Sequence, residues 1–222
     1  MHIPSTPSQD IDILSFFDAM EQADRDSTAE YDRDRWIYVP NRYCDYRYIL
    51  GTRGSNPLIC IGINPSTAAP DDLDNTLKSV SRIASGNGYD SWVMFNVYAQ
   101  RATDPDHMDR ELNLRLHQEN MRAFEYLLGL YGEGNTPAIW AAWGTIIEKR
   151  GYLCNCVRDM IDIGKRYGAK WYSVGKVSAK GHPHHPLYLR KDEVTAPFDA
   201  EGYLNALSSI KQGKRRAALV NS

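Results

Sequence analysis

The sequence of 222 residues has no long hydrophobic run, few cysteines and a net charge of only −2. No apolar stretch approaches the roughly 20 residues that a transmembrane helix requires. The N-terminus, MHIPSTPSQD, lacks the basic region and apolar core of a secretory signal. The four cysteines, at positions 44, 60, 154 and 156, are too sparse for a disulfide scaffold. We therefore expect a cytoplasmic protein with reduced thiols and no membrane partner.

The composition, 42% hydrophobic and 24% charged, is that of an ordinary globular chain, which excludes collagen-like and disordered classes. The charge is unevenly distributed along the chain. Residues 140–222 hold 14 Lys and Arg against 7 Asp and Glu, whereas the preceding residues hold 12 against 21. A basic second half favours a polyanionic partner. Solvated lysines on exposed helices explain the same count equally well.

Four short, continuous apolar runs predict strands that are covered on both faces, as in a parallel sheet. The runs are residues 58–63, 92–97, 138–143 and 170–174. Segments of helical length lie between and after them, at 72–86, 109–131, 145–168 and 198–212. This alternation predicts an α/β fold, a three-layer α/β/α sandwich around a central four-stranded, mostly parallel sheet.

The segments outside this alternation complete the predicted organisation. Residues 10–26 have helical spacing, 46–50 form a short aromatic strand candidate, and 51–57 have the composition of a turn. We predict an N-terminal helical or irregular extension (1–45), an α/β domain (46–212) and a basic, flexible tail (213–222).

Polar and turn residues recur where the predicted strands end, which is where ligands bind in open α/β sheets. The first run is followed by Asn64-Pro65-Ser66, and the second ends near Asn96 and Tyr98. Gly144 follows the third run, and Gly175-Lys176 follows the fourth, leading into residues 180–188. The recurrence predicts a functional site at this edge of the sheet.

These strand ends resemble a known superfamily. Gly62-Ile63-Asn64-Pro65-Ser66 resembles the GINPG motif of mismatch-specific uracil-DNA glycosylases, and His185-Pro186-Leu187-Tyr188 is more loosely similar to the HPSPLS-type loop of the uracil-DNA glycosylase superfamily. Phe95-Asn96 stands where that superfamily has a base-reading Asn, and Ala142-Trp143-Gly144 where it has a WG pair. The order and spacing agree from about residue 58 to 190. The chain also resembles, motif for motif more closely, a bacterial and phage family with NPSTA, WG and HPLY motifs and no established activity.

The resemblance implies a monofunctional DNA glycosylase that acts on a flipped uracil-like or modified pyrimidine, with DNA as its partner and no cofactor, metal or obligate protein partner. Asn64 would orient water through its amide oxygen, and His185 would donate a hydrogen bond to the departing base. Asn96 would read a pyrimidine edge. The base-binding set would be Ile63, Pro65, Ser66, Asn96 and Tyr98. The DNA-binding set would be Lys176, Lys180, His184, Leu187, Tyr188 and Arg190.

Structural explanations exist for the same residues. Asn64-Pro65 can be a turn that starts a helix, Asn96 a strand-end cap, and Tyr98 a cover for the sheet edge. The acidic residues at 71, 72 and 74 favour N-capping of a helix over cation binding. The His and Cys spacings match no standard zinc finger. Two rival functions stay open: a non-catalytic nucleic-acid or nucleotide-binding module, and an unrelated α/β enzyme acting on a phosphorylated small molecule.

Overall fold

A seven-stranded mixed sheet forms the centre of the protein. The computed structural model describes residues 1–132 and 135–209. Across the sheet the strands are β1 (Trp36–Val39), β2 (Ile49–Thr52), β4 (Ser91–Asn96), β3 (Pro57–Gly62), β5 (Ala138–Ala141), β6 (Lys170–Val174) and β7 (Thr195–Pro197). The central four, β4-β3-β5-β6, are parallel, so their carboxyl ends lie at one edge.

The predicted α/β class is confirmed, and the four predicted strands are present within one or two residues of their expected bounds. The prediction of a four-stranded sheet was too small, because three antiparallel strands extend it. β1 and β2 continue the sheet beyond β4, and β7 continues it beyond β6. Gly51 and Thr52, which we assigned to a turn, belong to β2.

Helices cover both faces of the sheet. Their bounds are α1 (Phe16–Arg25), α2 (Asn75–Gly86), α3 (Leu114–Gly129), α4 (Leu153–Arg166) and α5 (200–209). One face packs against α2, and the other packs against α1, α3, α4 and α5. The first three helices begin after side-chain caps at Ser15, Asp74 and Asn113. The prediction that an acidic residue of the 71–74 cluster caps the helix is confirmed for Asp74, whose carboxylate accepts from the Leu77 N–H.

The first 45 residues, which we predicted to form a helical or irregular extension, contain α1 but also supply strand β1 to the same sheet. Farther upstream, the buried Ser8 hydrogen-bonds through its N–H and hydroxyl to Asp109. The predicted basic tail lies outside the described residues, and the helix predicted over 198–212 is described only as far as 209. No described helix is long and apolar enough to cross a membrane.

Candidate functional site

The loop that follows β3 is held by hydrogen bonds to the segment that follows β4. The Asn64 Nδ2 donates to the carbonyl oxygens of Ala102, at 2.7 Å, and Pro65, at 3.2 Å. Both amide hydrogens are thereby engaged, which leaves Oδ1 as the acceptor of this side chain. The Ser66 hydroxyl lies 3.1 Å from that of Thr103. The motif is therefore a turn with an anchored, half-buried amide, and the next α-helix begins only at Asn75.

A cleft of about 560 Å³ opens at the carboxyl ends of β5 and β6. Gly144 is in the left-handed region at φ 60°, which favours glycine, and it lies against the loop after β6, where a Cβ would make an ordinary contact of 3.7 Å with the Cβ of His185. Thr103, the partner of Ser66, also lines the cleft. Its other lining residues include Trp143, Ile146, His182, His184, His185 and Tyr188.

His185 lines this cleft as a partly buried imidazole. Its Nδ1 accepts from the Leu187 N–H at 3.4 Å and so caps the short 3₁₀ turn Pro186–Tyr188. Burial lowers the pKa of His185, against the opposing effect of the Asp74 carboxylate. A neutral ring whose Nδ1 is an acceptor carries its proton on Nε2. The side chain is therefore a neutral hydrogen-bond donor at neutral pH.

A second histidine of the same loop has a structural role. His182 is buried, with Nδ1 2.7 Å from the Tyr203 hydroxyl and Nε2 2.9 Å from Glu148 Oε1. Lys180 pairs with the same carboxylate at 2.9 Å, and the hydrogen bonds from Lys180 and His182 lower the pKa of Glu148. These contacts fix the base of the loop that carries His185. Sequence reasoning missed Glu148, which carries no motif.

Asn96, at the end of β4, has the most unusual environment of the predicted residues. Its side chain is 0% exposed, and neither amide atom has a hydrogen-bond partner in the described part of the chain. Leaving a buried polar group unpaired costs about 1–3 kcal/mol, so such groups are rare. The side chain caps no backbone group, which removes the strand-cap interpretation. Asn96 does not line the cleft.

Three other predicted base-binding residues are not exposed to a ligand through their side chains. Tyr98 is fully buried, and its hydroxyl donates to Asp109 at 2.7 Å and accepts from the Asn113 N–H at 3.2 Å. This places Tyr98 in the core, where its side chain is not accessible for the base-binding role that we predicted for it. Ile63 packs in the core on the same face, and Pro65 is buried.

The predicted DNA-binding residues lie on one exposed loop region. Tyr188 and Leu187 are 77% and 44% exposed, and Lys176 is exposed. Two of the cations are neutralised by neighbours, because Lys180 pairs with Glu148 and Arg190 pairs with Asp192 at 3.2 Å. His184 lines the cleft. Across residues 1–132 and 135–209, no group of three or more His, Cys, Asp or Glu is arranged to hold a metal ion.

Two buried arginines, which the sequence analysis did not single out, lie behind the loop that follows β3. Arg47 donates to the Ala68 carbonyl at 3.0 Å, and Arg101 donates to the carbonyls of Ser66 and Ala68. The sequence contains one indication that Arg47 is buried: it stands between Tyr46 and Tyr48 in an aromatic run, where a charged residue is unexpected.

Comparison with known proteins gives a family but no activity. No curated protein and no solved structure matches the chain significantly. One family model matches residues 47–187, which include the loop after β3, β4, β5 and the His185 loop up to Leu187. Because this match spans more than half of the sequence, the chain belongs to the family described as protein of unknown function (DUF1643).

Proposed function

We propose that the protein is a DNA glycosylase-like enzyme that hydrolyses the N-glycosidic bond of a flipped uracil-like or modified pyrimidine and leaves an abasic site. The observation that carries the proposal is the position of His185 on a cleft at the carboxyl ends of the parallel strands. Its Nδ1 is engaged by the Leu187 N–H, so the Nε2–H is the donor of a neutral ring. A fixed neutral donor suits a leaving base on which negative charge develops.

Asn64 complements this donor. Cleavage leaves positive charge on the sugar, and a water must attack there. With Nδ2 bound to Ala102 and Pro65, the free Asn64 Oδ1 is fixed as an acceptor that orients such a water. The Asn64 amide cannot remove a proton from the water efficiently. The substrate therefore needs a nucleobase that is a good leaving group. A modified pyrimidine, as some phages use, meets that requirement.

Asn96 supplies recognition in this proposal. A buried amide with an unused donor and an unused acceptor matches the paired polar edge of a pyrimidine. Because Asn96 is fully buried and does not line the cleft, the structure around it must shift, for example in the loop after β3, for a base to reach the amide. Base recognition would then be coupled to loop movement, with Tyr188 and Leu187 filling the space of the flipped nucleotide.

The test is incubation with oligonucleotides that carry uracil, mismatched thymine or modified cytosines, followed by alkaline cleavage at abasic sites. We expect cleavage of at least one substrate. Asn64→Ala should retain DNA binding and lose about 10²–10³ in single-turnover base release, as for other single positioned polar groups. Asn205→Ala, an exposed asparagine of α5, is the matched control and should keep full activity.

Two results would contradict the proposal. If Asn64→Ala releases the base at the wild-type rate, Asn64 has no catalytic role and the motif serves only as a turn. Salt-dependent DNA binding without base release from any substrate would favour the non-catalytic binding module.

A further inference from the structure

Arg47 and Arg101 form a pair of buried guanidinium groups. Their exposed fractions are 1% and 0%. Both donate to the Ala68 carbonyl, at 3.0 Å from Arg47 and 3.3 Å from Arg101, which brings the two positive groups together behind the loop. Arg101 also donates to the Tyr38 hydroxyl at 3.0 Å.

No carboxylate in the described part of the chain contacts either guanidinium group. Within residues 1–132 and 135–209, neither arginine forms an ion pair, and their partners are carbonyl and hydroxyl oxygens. Burial, reinforced by the charge of Arg101, lowers the pKa of Arg47 to about 9, while Asp74 acts in the opposite direction. Buried charges are normally paired, and like charges side by side are unfavourable. Among the described residues, therefore, the two charges have no anionic partner in direct contact.

Part of each guanidinium is unused. The Nε atoms of Arg47 and Arg101 are buried and have no partner among the described residues. Arg47 binds its one partner through Nη1, so its Nε–Nη2 edge is open. That edge carries two parallel N–H groups, which is the geometry that binds two oxygens of a phosphate or carboxylate.

The position of the pair suits a ligand. Arg101 lies under the ring of Tyr43, with its Cζ 4.3 Å from the ring centroid, and Tyr43 is 50% exposed. Arg101 is thus one side chain below the surface, and both arginines lie behind the loop that follows β3, where Arg101 donates to the Ser66 carbonyl and Arg47 to the Ala68 carbonyl. A change in this loop or in Tyr43 would open a path to the guanidinium groups.

We propose that Arg47 and Arg101 form an anion site that binds a phosphate group. The phosphate belongs either to DNA or to a free nucleotide, since both present the same tetrahedral oxyanion. The site lies apart from the His185 cleft, whose lining includes neither arginine. It adds anion recognition to the strand ends whether or not the chain releases a base.

The first experiment titrates the wild-type protein and follows thermal unfolding. Its arms are inorganic phosphate, a pyrimidine nucleoside monophosphate and a short single-stranded oligonucleotide, with sodium chloride at matched ionic strength as the control. At about ten times Kd, a ligand specific for the folded state should raise Tm by roughly 3–6 °C. Chloride should leave Tm unchanged. A wild-type protein that none of the three phosphate ligands stabilises would overturn the proposal without any variant.

The second experiment assigns the effect to the pair. Arg47→Met keeps the aliphatic stem and removes the charge, so it should abolish the phosphate-induced rise in Tm. Arg47→Lys keeps the positive charge but lacks the two parallel donors, so it should retain only part of the phosphate-induced rise in Tm. This variant provides the readout if Arg47→Met does not fold. Arg25→Met removes an exposed arginine that pairs with Glu21 on α1, and it should behave as wild type. Full phosphate stabilisation in Arg47→Met, or in Arg47→Lys if the Met variant does not fold, would show that phosphate binds elsewhere and would overturn the assignment.

The arms separate this proposal from base release. Stabilisation by nucleotide and phosphate, but not by DNA, would support the anion site and favour a small-molecule enzyme over a glycosylase. Base release from DNA, with no stabilisation of the wild type by any of the three phosphate ligands, would support the glycosylase and reject the anion site.

Discussion

Gly62 and Asn96 are direct partners in the parallel register of β3 and β4, and a Cβ on Gly62 would lie 3.2 Å from the Asn96 Oδ1. It would also lie 2.5 Å from the Met94 Cε. The missing side chain at position 62 therefore provides the space in which the unpaired amide sits. The glycine of the GINPS motif and the asparagine at the end of the next strand are one structural unit, although 34 positions separate them in the sequence.

Substituting Gly62 by Ala should disturb this unit. The Met94 side chain must move and the Asn96 amide must yield, and overpacking of this kind typically costs about 1–3 kcal/mol. We expect a lower free energy of unfolding by denaturant titration and weaker discrimination between pyrimidines. Gly86→Ala in α2 is the matched control, because a Cβ there meets nothing within 4 Å. That variant should be stabilised by about 0.4–1 kcal/mol. Equal effects at both positions would show that Gly62 is not constrained by Asn96.

Replacement of Asn96 by Leu should separate stability from function. Removing a buried amide that has no partner relieves a desolvation cost, so we expect unfolding stability at or above that of the wild type, with loss of base release. Asn120 is the matched control: it is equally buried, but its Nδ2 donates to the Asn96 carbonyl at 2.9 Å. Asn120→Leu should cost about 1–3 kcal/mol. A similar loss from Asn96→Leu would indicate a structural role for that side chain.

The parallel core of the sheet could be predicted from the sequence because its strands are buried on both faces and read as continuous apolar runs. The antiparallel strands could not. Gly51 resembles a turn residue, yet it lies within β2. Glycine is required there because a Cβ would overlap the Trp92 carbonyl oxygen of β4. β7 is largely exposed and ends at Pro197, so it has no hydrophobic pattern to detect.

Site residues that belong to a recognisable motif could be predicted from the sequence. Residues whose role depends on whether the side chain is buried could not. Asn64 and His185 follow strands and carry recognisable motifs. Ser66, two residues after Asn64, contacts Thr103, which lines the cleft together with His185, whereas Asn64 itself does not line it. Tyr98 has the same sequence position relative to its strand, but its hydroxyl binds Asp109 in the core. Arg47 reads as a surface charge until its burial is known.

Two lysines that the sequence ranks equally should differ in their contribution to DNA binding. Lys176 is exposed, whereas Lys180 is engaged by Glu148 at 2.9 Å. A phosphate contact releases counterions, so Lys176→Ala should weaken binding to all sequences and reduce the slope of log K against log salt by about 1. Lys180→Ala should change the slope less. Lys165→Ala, which removes a lysine paired with Glu201 on another surface, should leave it unchanged. The measurement is fluorescence anisotropy at several salt concentrations, and equal slopes for all three variants would place DNA elsewhere.

The pH dependence of base release should report the protonation of His185. Burial lowers its pKa below the ordinary 6.5, so the neutral ring predominates at pH 6.5 and above. Protonation places a hydrogen on Nδ1, which then cannot accept from the Leu187 N–H, and the turn that orients the ring is lost. We expect a constant rate at neutral and higher pH and a decline at acidic pH, with a midpoint below that of an ordinary histidine, measured by single-turnover release.

The lowered pKa of His185 also determines how the free energy of unfolding changes with pH. Below pH 6.5 the unfolded chain binds a proton at this position before the folded protein does, so the free energy of unfolding falls as the pH is lowered towards the folded pKa. His185→Gln should flatten this dependence and remove the acidic decline in rate, at a lower rate throughout. His2 provides the control, because burial also lowers its pKa, yet it lies outside the cleft. His2→Gln should flatten the stability profile alone. If the rate profile of His185→Gln keeps the wild-type decline, the titrating group is another residue and His185 is not the donor to the departing base.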